Sequence, residues 1–267
     1  MRYVRGDAGT DVVRGQNIEY ITTGGGNDTV FVKGDSVRIE AGAGNDRITA
    51  ERAEIVYGGD GNDIIDIAAL GQVDADLYDD DTTRIGGGAG NDVLRFSLAE
   101  DENGVTDRAV VVFNQGDGQD RVEFEGDYVG QRSFTQTELL NIGDVVNRAK
   151  EATYTEETGL LIRREGSDSL SAAYRDGEDF VLSFTGGDSL RLVNFGANDY
   201  IDLEFADPTK PSALEMSSMF YTTQAKDVQK TTAYARIDGR GEVLSAYEAV
   251  GSNQVTRRDD TSLSFIA

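Results

Sequence analysis

Five segments of the chain close on an aspartate set in a glycine-rich turn. They are TGGGNDTV at Asp28, AGAGNDRI at Asp46, YGGDGNDII at Asp63, GGGAGNDVL at Asp92 and QGDGQDRV at Asp120, with a weaker copy, GDAGTDVV, at Asp11. Each aspartate offers a negatively charged oxygen. Each glycine lets the backbone enter positive φ and turn its carbonyls toward a common centre. An array of carboxylate and carbonyl oxygens suits a hard divalent cation, and calcium accepts roughly six to eight oxygens at about 2.3–2.6 Å in flexible geometry. One loop supplies about half of such a shell, so the loop one repeat later must supply the rest. The candidate ligating residues are Asp11; Gly24, Gly26 and Asp28; Gly42, Gly44 and Asp46; Gly58, Asp60, Gly61 and Asp63; Gly88, Gly90 and Asp92; and Gly116, Gly118 and Asp120. One copy alone would read as a metal-free Asn/Asp-Gly turn; the recurrence with matched apolar columns favours the metal loop.

Composition narrows the chemistry further. The 267 residues include no Cys and no His, which excludes ordinary zinc sites, serine and cysteine triads and most transition-metal chemistry, and leaves calcium or magnesium. With 25 basic and 49 acidic residues the formal charge is −24, opposite to what nucleic acid or an anionic membrane requires of a partner. Bound cations would supply the missing counter-charge. No apolar run reaches the roughly 18 residues of a membrane span. No secretory h-region follows Met1, and the chain opens inside a motif copy, so further protein is expected ahead of it.

Something must hold the loops one above the next. The gaps between successive motif aspartates are 17, 18, 17, 29 and 28 residues. Two residues after each aspartate stand Val13, Val30, Ile48, Ile65, Leu94 and Val122. Seven residues before the last five stand Ile21, Ile39, Val56, Ile85 and Phe113. Both columns are wholly apolar and lie nine residues apart. A coil of about 18 residues therefore carries two short strands, each sending one large aliphatic group inward, and such coils bury that face only by stacking. The half-coil counterparts of the motif aspartate are Glu19, Val37, Glu54, Thr83 and Val111, so metal is expected along one edge of the stack alone. Three to five ions are expected, shared between loops at 11/28, 28/46, 46/63, 63/92 and 92/120.

These repeats match the pattern G-G-x-G-x-D-x-U-x. Over roughly residues 5–125 the chain resembles the RTX (haemolysin-type calcium-binding) family, with departures at Thr23, Ala41, Gln115 and Gln119. The resemblance implies an all-β fold: a parallel β-roll or β-helix of calcium-binding nonapeptide repeats, followed by a β-rich C-terminal capping region. It also implies export by a type I secretion transporter that recognises a C-terminal signal, with an extracellular or cell-surface location.

The expected organisation is residues 1–125 as the repeat domain, 126–207 as the capping module and 208–267 as the tail. Residues 208–267 hold seven basic and seven acidic side chains, so the whole negative excess lies before them. Insertions lengthen the repeats at 68–82, which includes Asp79, Asp80 and Asp81, and at 97–109. A capping-box spacing, Thr135 to Glu138, predicts a helix over 135–150. Strands follow from 160 to 207, where 176–207 is similar to the module that often follows RTX repeats. The tail is read as a short helix at 213–222, a hairpin within 232–248, and Asp259-Asp260 before a short apolar end that suits the export signal. The functional expectation is a non-enzymatic module that folds on calcium after export and supports secretion of a larger protein. A calcium-dependent part of an adhesin or S-layer-like protein is an alternative, and a calcium-dependent polysaccharide lyase or epimerase a weaker one.

Overall fold

A computed structural model of the chain describes residues 2–68, 70, 82–97, 108–124, 132–139, 149–156, 160–165, 170–196, 199–207, 230–241, 243–249 and 255–257. The fold is all-β, with no helix among these residues. The first ten strands are β1 (Tyr3–Arg5), β2 (Val12–Gln16), β3 (Tyr20–Gly25), β4 (Thr29–Ala43), β5 (Arg47–Asp60), β6 (Ile64–Ile67), β7 (Thr82–Ala89), β8 (Val93–Phe96), β9 (Arg108–Val112) and β10 (Gln119–Phe124). Then come β11 (Arg132–Leu139), β12 (Ala149–Glu156), β13 (Leu160–Glu165), β14 (Leu170–Asp176), β15 (Asp179–Phe184), β16 (Ser189–Val193), β17 (Tyr200–Asp207), β18 (Lys230–Asp238), β19 (Val243–Ala249) and β20 (Val255–Arg257).

Two ladders of parallel pairing run through β1–β10. The strands that follow the loops pair in the order β2, β4, β5, β6, β8, β10. The strands that precede the loops pair as β1, β3, β4, β5, β7, β9, with the long β4 and β5 serving both ladders. The register is set by the inward apolar groups, because a one-residue slip would send every one of them to solvent. Val13 thus lies opposite Val30, Val30 opposite Ile48, Ile48 opposite Ile65, and Leu94 opposite both Ile65 and Val122. In β6 the alternation is plain: Ile65 and Ile67 are buried, Ile64 and Asp66 face outward, and Asp66 bridges Arg47 and Arg95 across the ladder.

The second column follows the expectation through Ile21, Ile39, Val56 and Ile85 and then departs from it. Ile85 pairs with Val111, not with Phe113. Val111 stands nine residues before its aspartate and Ile85 seven, so the last loop holds two more residues than its predecessors. Phe113 remains buried, one step nearer the loops on the inward face.

Neither ladder stops at the last loop. β10 pairs in parallel with β16, while β9 pairs with β13 and β13 with β17, also in parallel. Antiparallel neighbours then cover both ladders: β15 and β14 beyond β16, and β18, β19 and β20 beyond β17. One continuous core serves the whole, aliphatic in the early coils and aromatic near β13–β17, where Phe180 and Phe195 stack at 5.7 Å.

Where the helix expected over 135–150 falls on described residues, 135–139 and 149–150, the chain is strand instead. Arg132–Leu139 and Ala149–Glu156 pair antiparallel as a separate two-stranded sheet. Thr135 lies opposite Thr153 in this register, and β-branched residues favour strands over helices. The hairpin expected within 232–248 is present as β18 and β19. The expected helix at 213–222, the Asp79–Asp81 run and the acidic pair Asp259-Asp260 lie outside the described residues.

Candidate metal centre

The loops at the expected aspartates lie side by side along one edge, and each aspartate uses its two oxygens differently. Oδ1 accepts the backbone N–H of the preceding coil's aspartate: Asp28 from Asp11 at 2.7 Å, Asp46 from Asp28 at 2.6 Å, Asp63 from Asp46 at 2.7 Å, Asp92 from Asp63 at 2.7 Å and Asp120 from Asp92 at 2.9 Å. Oδ2 of Asp28, Asp46, Asp63 and Asp92 is buried and has no hydrogen-bond partner. A buried carboxylate oxygen without a partner is costly, and here the cost recurs in register on four coils. Asp11 and Asp120 are not part of this row. Asp11 Oδ2 accepts the Asp7 N–H at 2.9 Å and the residue is partly exposed, so the weak first loop lacks the free oxygen of those four.

A second ladder runs the other way. Asn27 Oδ1 accepts the Asn45 N–H, Asn45 that of Asn62, Asn62 that of Asn91, and Asn91 that of Gln119, at 2.7–3.0 Å. Gln119 takes part here through its backbone N–H alone, which explains why its side chain can depart from the repeat. The asparagines were not among the candidate residues. Their invariance beside the aspartates in four loops was the available signal.

The positive φ expected of the loop glycines is observed, with one shift of position. Positive φ falls at Gly24 and Gly26, Gly42 and Gly44, Gly59 and Gly61, Gly88 and Gly90, and Gly116 and Gly118. In the third loop the residue is thus Gly59, not the expected Gly58; Gly59 precedes Asp63 by four residues, as Gly42 precedes Asp46. Gly58 instead lies beneath the carboxylate, where a Cβ would stand 2.2 Å from Asp63 Oδ2. Asp60 is exposed, and its carbonyl accepts the Gly44 N–H at 2.7 Å. At the departures, Thr23 donates its hydroxyl to the Ala41 carbonyl at 2.8 Å.

Burial dominates the electrostatics. It raises Asp46 above the usual carboxylate range, Asp63 to about 7, Asp92 to about 6, Asp117 to about 6 and Asp120 to about 8, against hydrogen bonds that pull the other way. The neighbouring carboxylates add to the rise at Asp63 and Asp120. Burial would also raise Asp188, but the Gly116 N–H and the Arg164 guanidinium hold it below its ordinary value.

Folding therefore increases proton binding by the loop aspartates between about pH 4 and about pH 8, and metal-free stability falls as pH rises through that window. This stabilising contribution is complete below the unfolded carboxylate value and lost above the raised folded values. In metal-free buffer the β signal in circular dichroism is expected to increase from pH 8 to pH 5. If calcium occupies these loops, the trend should reverse when calcium is saturating, because protons would compete with the ion for the same oxygens. A metal-free signal that is unchanged or larger at pH 8 would contradict this account.

The donor set fits calcium better than magnesium. Among the described residues no three acidic side chains converge on one point. A shell built here would draw chiefly on backbone carbonyls with one or two carboxylates, a flexible set that magnesium's strict octahedron and reluctant dehydration disfavour. On the opposite edge the acidic groups have protein partners: Asp35 pairs with Arg52 at 2.6 Å, and Glu51 accepts the Gly34 N–H at 2.9 Å. No helix among the described residues is long and apolar enough to cross a membrane. No protein-family model matches the chain, and no curated protein matches it.

Proposed function

We propose that residues 11–120 form a calcium-binding parallel β-roll, that calcium drives its folding, and that it serves as an extracellular folding module of a larger protein exported by a type I transporter. The observation that carries this reading is the row of four buried, unpartnered Oδ2 atoms at Asp28, Asp46, Asp63 and Asp92, all on one edge. Calcium would be held by these carboxylates together with loop carbonyls, among them those of the paired glycines. The ion's contribution is positive charge where the chain has buried only negative charge.

At 100 times its dissociation constant, an ion that binds only the folded state adds about 2.7 kcal/mol. Four such ions would add roughly 11 kcal/mol, comparable to the whole stability of an ordinary domain. Without calcium, the repulsion and desolvation of the loop aspartates leave the ladder unstable, which suits passage through a narrow transporter before folding outside. The transporter step rests on the resemblance and on the tail's composition, not on loop geometry.

A calcium titration followed by circular dichroism tests the reading. A cooperative gain of β signal with calcium is expected, with magnesium ineffective at equal concentration. Full β structure in excess chelator at pH 8 would sink it.

A further inference from the structure

The inward row beneath the loops continues in register past the last aspartate loop. Thr23, Ala41, Gly58 and Gly87 occupy that row, and continuing the pairing of β7, β9 and β13 brings in Phe113 and Arg164. An arginine thus stands where the earlier coils place small residues below the aspartates. Its side chain is 0 % exposed.

The guanidinium reaches the last loop and the turn that covers it. It donates to the carbonyls of Phe113 at 3.3 Å and Asn114 at 3.1 Å, and to Asp188 Oδ2 at 2.7 Å. Asp188 in turn accepts the N–H groups of Gly116 at 2.8 Å and Gly118 at 3.2 Å, closing over the loop that ends at Asp120. Phe184 and Phe113 flank the guanidinium at 3.8 and 4.9 Å. Backbone carbonyls and a carboxylate from two successive turns therefore converge on one buried positive charge. The preceding junctions present the same types of donor, with carboxylate oxygens that have no protein partner.

We propose that Arg164 is a built-in cation that ends the metal column, holding the position an ion would otherwise take between the loop at 113–120 and the turn at 185–188. This final junction closes without calcium and gives the calcium-dependent coils a preformed end on which to stack. The inference rests on the calcium reading above, and the test separates the two.

Hydrogen exchange of the full chain in chelator should leave the amides of 119–124, 160–165 and 179–193 at least about 100-fold more protected than those of 20–66. If both regions exchange together at unprotected rates, the built-in cation is refuted and the calcium reading stands. If 20–66 is protected in chelator, the calcium reading itself fails and the proposal falls with it. Arg164→Gln is expected to lose the chelator-resistant protection and to bind one more calcium per chain by equilibrium dialysis, through the released Asp188 and the Phe113 and Asn114 carbonyls. Arg164→Lys, which keeps the charge, should bind the wild-type number. An extra ion in both variants, or in neither, overturns the proposal. If the glutamine variant does not fold in calcium, the wild-type exchange pattern decides alone.

Discussion

Replacing Asp63 with asparagine is expected to stabilise the metal-free fold while weakening calcium binding. The amide oxygen can keep the hydrogen bond from the Asp46 N–H at 2.7 Å, so the ladder need not break. The substitution removes a charge that burial raises to a pKa of about 7. The Gly87 carbonyl approaches the same space beneath the loop and offers the new amide N–H an acceptor. At pH 8 in metal-free buffer a gain of about 1–3 kcal/mol is expected, the usual scale of an unpaired buried polar group. With calcium the sign reverses. Losing a charged ligand should lower affinity at the adjacent sites at least as much as the roughly 10–100-fold typical of losing an outer-shell partner.

Asp63→Ala separates the two contributions, since it deletes the hydrogen-bond acceptor together with the charge and should destabilise in both conditions. Denaturant melts with and without calcium, beside a calcium titration, measure all of this. An asparagine variant with unchanged calcium affinity would show that the Oδ2 row does not hold the ion.

The second large effect is expected at Gly59. Its φ is 122°, and a Cβ there would stand 1.7 Å from the Gly42 carbonyl oxygen and 2.6 Å from its carbon. Those are backbone atoms of the neighbouring coil and cannot rotate away, so alanine must push two rungs apart. Gly187 is the matched control: its φ is 95°, but nothing lies within 4 Å of the Cβ position. Gly187→Ala should cost only the conformational penalty, about 1–2 kcal/mol. Gly59→Ala adds overpacking of about 1–3 kcal/mol to that penalty, and lower calcium affinity because the carbonyl row is displaced. Equal losses for the two variants in saturating calcium would refute the contact argument.

The repeat was legible because its chemistry and its packing share one period. Aligning the aspartates put Val30, Ile48 and Ile65 opposite one another, and the strands pair in that register. Legibility failed where a local count changed without altering the pattern of residue types. Phe113 fitted the apolar column as well as Val111 does, and only backbone pairing reveals the two extra residues in the last loop. Gly58 and Gly59 are chemically identical, so spacing to Asp63, not residue type, distinguished the positive-φ position. The strands at Arg132–Leu139 and Ala149–Glu156 were masked by a capping-box spacing that their pairing overrides. Arg164 was invisible because a charged residue in a strand normally signals an outward face. Its role depends on Asp188, which lies 24 residues away in sequence.

The spacing of the rungs has a further consequence. Asp63 and Asp92 are 29 residues apart and Asp92 and Asp120 are 28, yet their hydrogen bonds, 2.7 and 2.9 Å, match those of rungs 17 or 18 residues apart. Most of the added sequence enters between Ile67 and Thr82 and between Phe96 and Arg108, where the strands end at the edge away from the aspartates. Chain length thus varies widely at that margin and little at the other, where the last loop alone gains two residues. Replacing either insertion by a foreign peptide is therefore expected to leave the rung hydrogen bonds at the aspartates unchanged.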